Sequence, residues 1–170
     1  MNTAAESISV PFEVRPLSKL MAAEVIGLNL SIPLDRSTQD AVYAAFVKYQ
    51  VLAFRDQDLS PEEQIRFSEQ FGELEKHIAS NENSDIKAVH TVTNLDDRGK
   101  PTGKVGSQDW HTDKSFRAKP SLATILHAKR LPPSGGETCF ANMYHAYEAL
   151  DEDEKAQLEG LQVVHSWELS

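Results

Sequence analysis

In the stretch Gly106-Ser107-Gln108-Asp109-Trp110-His111-Thr112-Asp113-Lys114-Ser115-Phe116, a histidine and an aspartate stand two residues apart, as His111 and Asp113. Side chains on a β-strand alternate between faces, so residues two apart point the same way. The spacing predicts an imidazole and a carboxylate side by side on one strand face, able to grip one metal ion together. His-x-Asp alone is a weak motif. The bland alternative is a polar strand histidine bonded to its neighbouring aspartate. The surroundings favour the metal. Trp110 and Phe116 flank the pair, and a loop with Gly135 and Gly136 leads into Thr138 downstream.

Outward from that stretch, strands and helices alternate irregularly. Upstream, Phe12-Glu13-Val14-Arg15 alternates as a short strand ended by Pro16, after a loose tail over residues 1–10. Ala23 to Leu28 predicts a second strand. Val42, Tyr43, Phe46 and Tyr49 recur at helical spacing between Ser37 and Tyr49. Val51-Leu52-Ala53-Phe54 is a compact apolar run that suits a buried strand. Ser60-Pro61-Glu62-Glu63 is a capping box with Pro at the first helical position, and Gly72 is the expected stop.

Residues 77–85 are polar and predicted as loop, Ile86 to Thr93 as strand, and Asp96 to Pro101 as a turn cluster. Downstream, Ser121 to Ala128, Glu137 to Phe140 and Leu161 to Trp167 have the patterns of strands. Helices are expected from about Met143 to Leu150 and from an Asp151 cap to Gly160. Strands of mixed spacing among helices indicate an α+β fold with a jelly-roll-like sheet as its core.

Composition narrows the function classes. A net charge of −9 argues against a nucleic-acid groove, which needs a basic stripe. One cysteine, Cys139, excludes an internal disulfide framework and is expected as a small core residue. No apolar run approaches a membrane span, and the first residues carry no signal-peptide pattern, so a cytoplasmic protein without membrane contact is expected. The remaining histidines, His90, His127, His145 and His165, suit structural roles better than metal ligation. A histidine plus a carboxylate makes up two of the three protein ligands of the facial triad in non-heme Fe(II) oxygenases, which leaves positions open for cosubstrate and O₂.

Five blocks together resemble the TauD/TfdA family of Fe(II)- and 2-oxoglutarate-dependent dioxygenases. They are Val51 to Gln57, the helix through Phe67 to Phe71-Gly72-Glu73-Leu74, Trp110 to Asp113, Pro132 to Thr138, and Ala146 to Leu150. They span most of residues 11–167, and their order and spacing are more specific than any one block. The resemblance implies a double-stranded β-helix (jelly-roll, cupin-like) core with flanking helices over 11–170. It also implies His111 and Asp113 as iron ligands, Thr138 as a hydroxyl for the distal carboxylate of 2-oxoglutarate, and His77 and Ser107 as substrate-lining residues. The implied substrate is a small organic anion of sulfonate, sulfate or aryloxy acid type, hydroxylated with O₂ while 2-oxoglutarate becomes succinate and CO₂.

The family's second histidine ligand and its 2-oxoglutarate-binding arginine come later than any residue here. No Trp-Asp-Asn…His segment and no arginine after Arg130 occurs in the sequence. The expectation is therefore the N-terminal portion of a dioxygenase, inactive alone. Unpaired sheet edges would then favour self-association, with apolar positions such as Leu122, Leu126, Val163 and Val164 lacking cover. The rival expectations are a non-catalytic remnant and a different cupin-like metalloenzyme that needs no 2-oxoglutarate.

Overall fold

The computed structural model describes residues 11–75, 88–96, 98–103 and 109–166. The expected tail over 1–10 and loop over 77–85 lie outside these, as do His77 and Ser107. Three strands, Glu13–Pro16 (β1), Ala23–Ile26 (β2) and Leu52–Phe54 (β3), form one sheet in the order β1-β2-β3. β1 and β2 are antiparallel, with Val14 opposite Val25. β2 and β3 are parallel, with Ala23 opposite Leu52 and Val25 opposite Phe54. A parallel pair needs a crossover, and the helix Arg36–Tyr49 (α1) supplies it.

Each helix begins where its sequence can cap it. Asp35 accepts from the Thr38 amide at 2.8 Å to start α1, which ends at Gln50 in a left-handed conformation. Its buried stripe is Thr38, Val42 and Ala45, spaced four and three apart. Tyr43, expected on that stripe, sits one residue off it and is exposed. Both bonds of the predicted capping box form at Pro61–Glu69 (α2): the Glu63 amide donates to Ser60 Oγ at 3.2 Å, and the Ser60 amide to Glu63 Oε2 at 2.7 Å.

The core forms where these elements meet. Val25 of β2 packs with Phe12 and with Val42 of α1. Leu30, Leu59 and Phe67 of α2 make a second cluster, with the Phe67 ring edge-on to Phe54 at 5.8 Å and to Phe71 at 5.2 Å. Between Ala23 and Val25, Glu24 points to the other face, yet it is only 5% exposed. A carboxylate is buried there because two cations hold it: Arg15 pairs with Oε2, and Arg55 Nε lies 3.0 Å from Oε1. The Arg15 guanidinium holds the Glu24 carboxyl below the usual carboxylate range, with help from Arg55.

Two glutamines tie the loops to this frame. Gln57 Oε1 accepts from the Leu30 amide at 2.9 Å, and its Nε2 donates to the carbonyls of Leu28 at 3.1 Å and Arg55 at 2.9 Å. Gln70, past the end of α2, accepts from the Leu34 amide at 2.7 Å. The Gln57 carbonyl accepts from His127 Nε2 at 3.0 Å, while His127 Nδ1 is buried without a hydrogen-bond partner among the described residues. Lys129 also donates to the Leu59 carbonyl.

These contacts belong to the first of two units, Met1–Phe71 with His127–Leu161; the second is Gly72–Leu126 with Gln162–Ser170. The first unit also carries Met143–Glu148 (α3), capped by Asn142, and Glu152–Leu158 (α4), whose Asp151 and Glu154 complete the expected capping box. In the second unit, the Asp96 carboxylate accepts from the amides of Arg98 and Lys100, forming the predicted turn, and Leu95 and Pro101 form an isolated bridge.

The strands expected over 86–93, 121–128, 137–140 and 161–167 do not form among the described residues. A strand requires a neighbour for its amides and carbonyls, and these segments have the side-chain pattern without a paired ladder. No double-stranded β-helix is therefore assembled from the described residues. Leu122, Leu126, Val163 and Val164 are exposed, as the sequence suggested. Cys139, expected in the core, is exposed as well, because residues 137–140 pack no sheet face.

Candidate metal centre

The second unit holds the His-x-Asp pair. His111 Nδ1 lies 3.0 Å from the Asp109 carbonyl oxygen. A carbonyl only accepts, so Nδ1 carries a proton, and in the neutral ring Nε2 then keeps its lone pair. That nitrogen faces Asp113 Oδ1 at 3.4 Å. A divalent ion placed between that nitrogen and Oδ1 would take both atoms as ligands. Two ligand atoms on one divalent ion, with bonds of about 2.1 Å, lie roughly 3 to 3.4 Å apart. The pair therefore fits an ion. The other Asp113 oxygen, Oδ2, accepts from Thr124 Oγ1 at 2.7 Å.

The route to this geometry differs from the expected one. His111 and Asp113 are not on a strand. The chain enters a turn at Asp113, with Lys114 left-handed at φ 58° and the Arg117 amide donating to the Lys114 carbonyl at 3.0 Å. Local tethers, rather than strand alternation, bring the two side chains together. Glu75 anchors the turn from outside, 3.5 Å from Lys114 Nζ and 4.0 Å from Arg117 Nη1. His165 Nδ1 lies 2.9 Å from Ser115 Oγ, which gives that histidine a structural partner. Both side chains are about half exposed, at 53% for His111 and 49% for Asp113, leaving room for further ligands.

Among the described residues, no group of three or more His, Cys, Asp or Glu side chains is placed to hold a metal. The structure gathers two of the expected ligands. Thr138 belongs to the first unit, exposed and just past Gly135 and Gly136, both at positive φ. His77 and Ser107 lie outside the described residues. Thr124, Glu75 and the Asp109 carbonyl were not legible as site residues. Thr124 stands within an apolar run whose pattern signals only a strand, and a backbone carbonyl has no sequence signature.

A family model described as taurine catabolism dioxygenase TauD, TfdA family matches residues 13–170. The chain is 36% identical over 159 residues to the (S)-phenoxypropionate/alpha-ketoglutarate-dioxygenase of Sphingobium herbicidovorans, covering 94% of this chain and 55% of that protein. A taurine dioxygenase from Burkholderia xenovorans superposes with a TM-score of 0.75 at 31% identity, over 88% of this chain and 51% of the other. AAD-2, crystallised with Mn(II) and N-oxalylglycine, gives a TM-score of 0.62 at 34% identity, over 87% and 49%. The chain spans about half the length of the curated relatives it matches.

Proposed function

The chain belongs to the TauD/TfdA dioxygenase family, and we propose that the whole protein is an Fe(II)- and 2-oxoglutarate-dependent dioxygenase built on a double-stranded β-helix. It would hydroxylate a small organic anion of sulfonate, sulfate or aryloxy acid type. The balance is one substrate C–H bond, one O₂ and one 2-oxoglutarate converted to one C–OH, one succinate and one CO₂. The observation that carries this reading is the 3.4 Å approach of His111 Nε2 and Asp113 Oδ1, with the His111 proton committed to the Asp109 carbonyl.

Each residue has a defined task in this proposal. His111 offers a neutral nitrogen and Asp113 a charged oxygen, a donor set suited to a divalent transition metal. Fe(II), when bound, supplies the electron chemistry that reduces O₂. The Asp109 carbonyl accepts from His111 Nδ1 and so orients the ring with Nε2 toward Asp113. Thr138 would donate a hydrogen bond to the distal carboxylate of 2-oxoglutarate, since a carboxylate taken out of water needs donors. His77 and Ser107 would line the substrate site. The Mn(II) and N-oxalylglycine of AAD-2 support this cosubstrate, because N-oxalylglycine has 2-oxoglutarate's two carboxylates and carbonyl, with N–H in place of one methylene.

The test is His111→Ala in the full-length protein, followed by succinate formation from 2-oxoglutarate with added Fe(II). Turnover is expected to disappear while the thermal melt stays unchanged, because the side chain is half exposed. Succinate production at the parent rate would overturn the assignment.

A further inference from the structure

Asp113 has two carboxylate oxygens, and the structure treats them differently. Oδ1 faces His111 Nε2 at 3.4 Å. Oδ2 is occupied by the hydroxyl of Thr124, which donates from 2.7 Å and lies eleven residues further along the chain. A hydroxyl on a carboxylate at this distance is a strong, charge-assisted contact. Thr124 is exposed, so no packing demand of a core explains its place. Carboxylates bind metals through one oxygen or two, and a donor committed to Oδ2 disfavours the two-oxygen mode. The arrangement repeats on the partner ligand. The Asp109 carbonyl holds the outer nitrogen of His111 and leaves the inner one available.

We propose that Thr124 is a positioning residue of the metal centre: its hydroxyl holds Asp113 Oδ2 outward, so that Oδ1 alone turns toward His111 Nε2 as a one-oxygen ligand. The inference rests on the metal reading of His111 and Asp113 given above. Thr124 does not touch the ion; it acts through Asp113. Partners of this outer kind set ligand orientation, and their loss typically weakens metal affinity about 10- to 100-fold.

The experiment titrates the full-length metal-free protein with Co(II), following visible ligand-field absorption, for the parent, Thr124→Val, Thr124→Ser and Asp113→Ala. Thr124→Val keeps the shape and removes the hydroxyl. It is expected to weaken Co(II) binding at least about 10-fold and to alter the absorption band, as Oδ2 becomes free to join the ion. Thr124→Ser is expected to restore both affinity and spectrum. Thermal melts of the metal-free forms should coincide, which a merely structural role would not give. Should Thr124→Val fail to fold, Thr124→Ala takes its place. If Asp113→Ala weakens Co(II) while Thr124→Val binds it like the parent, the role of Thr124 is overturned and the centre stands. Equal weakening by Thr124→Val and Thr124→Ser overturns it too, because the hydroxyl is then not what matters. If Asp113→Ala leaves Co(II) binding unchanged, the metal reading itself falls.

Discussion

Gln57 is half buried and makes three hydrogen bonds with one side-chain amide, which makes its removal a sharp test of how the first unit is held. Gln57→Met keeps the length of the side chain and removes every polar contact. The Leu30 amide, on a residue only 6% exposed, then loses its acceptor. An orphaned buried donor costs about 1–3 kcal/mol, and the Leu28 and Arg55 carbonyls lose a donor as well, so a total near 2–3 kcal/mol is expected. For a chain of this size, each 1 kcal/mol shifts Tm by roughly 2–4 °C, giving a drop of about 5–10 °C by circular dichroism.

Gln57→Glu separates the two halves of the contact. One oxygen can still accept from the Leu30 amide, but the other sets a negative charge against two carbonyls. The folded form then favours the protonated acid, so the introduced group has a raised pKa. Its destabilisation is absent well below the unfolded carboxyl pKa of about 4.3 and grows as pH rises above it. A Gln57→Met melt within experimental error of the parent, or a Gln57→Glu penalty independent of pH, would refute the argument.

Two further outcomes follow from the same structure. Thr138→Ala in the full-length protein should raise the KM for 2-oxoglutarate roughly tenfold or more, since a hydrogen bond to a charged group is worth about 1.5–3 kcal/mol; an unchanged constant reduces Thr138 to a loop residue. Glu24 has a carboxyl pKa lowered by Arg15 and Arg55, so its contribution to stability is present above the unfolded pKa of about 4.3 and is lost as pH falls through the lower folded value. Glu24→Gln should therefore flatten the acid side of the stability–pH curve, and an acid limb as steep as the parent's would contradict that.

Local signals in the sequence survived into the structure wherever the answer was local. The Ser60 and Asp151 capping boxes and the Asp96 turn depend on residues within a turn or two of one another, and each was visible in spacing alone, whereas of the expected α1 stripe only the helix itself and Val42 held. Strands depend on partners far away in sequence. Those at β1, β2 and β3 found theirs within residues 13–54, whereas the alternating runs after residue 120 did not pair among the described residues. The site was half legible for the same reason. His111 and Asp113 stood out by type and spacing, but strand alternation was the wrong mechanism for bringing them together. Thr124 reaches Asp113 across eleven residues, and Glu75 reaches Lys114 of the adjoining turn across more than thirty-five. The block ending in Gln57 carried a resemblance before it carried a reason; the reason is its amide, which serves three backbone groups at once.

The strands β1, β2 and β3 and the helices α1 and α2 lie between residues 13 and 69. During synthesis at about 5–20 residues per second, this stretch leaves the ribosome some seconds before His111 and Asp113 do. Its ladder and caps need no residue beyond Phe71. The sheet can thus be waiting when His127 and Lys129 arrive to close over Gln57 and Leu59. The sheet is then the template, and the later residues His127 and Lys129 are the ones that complete it.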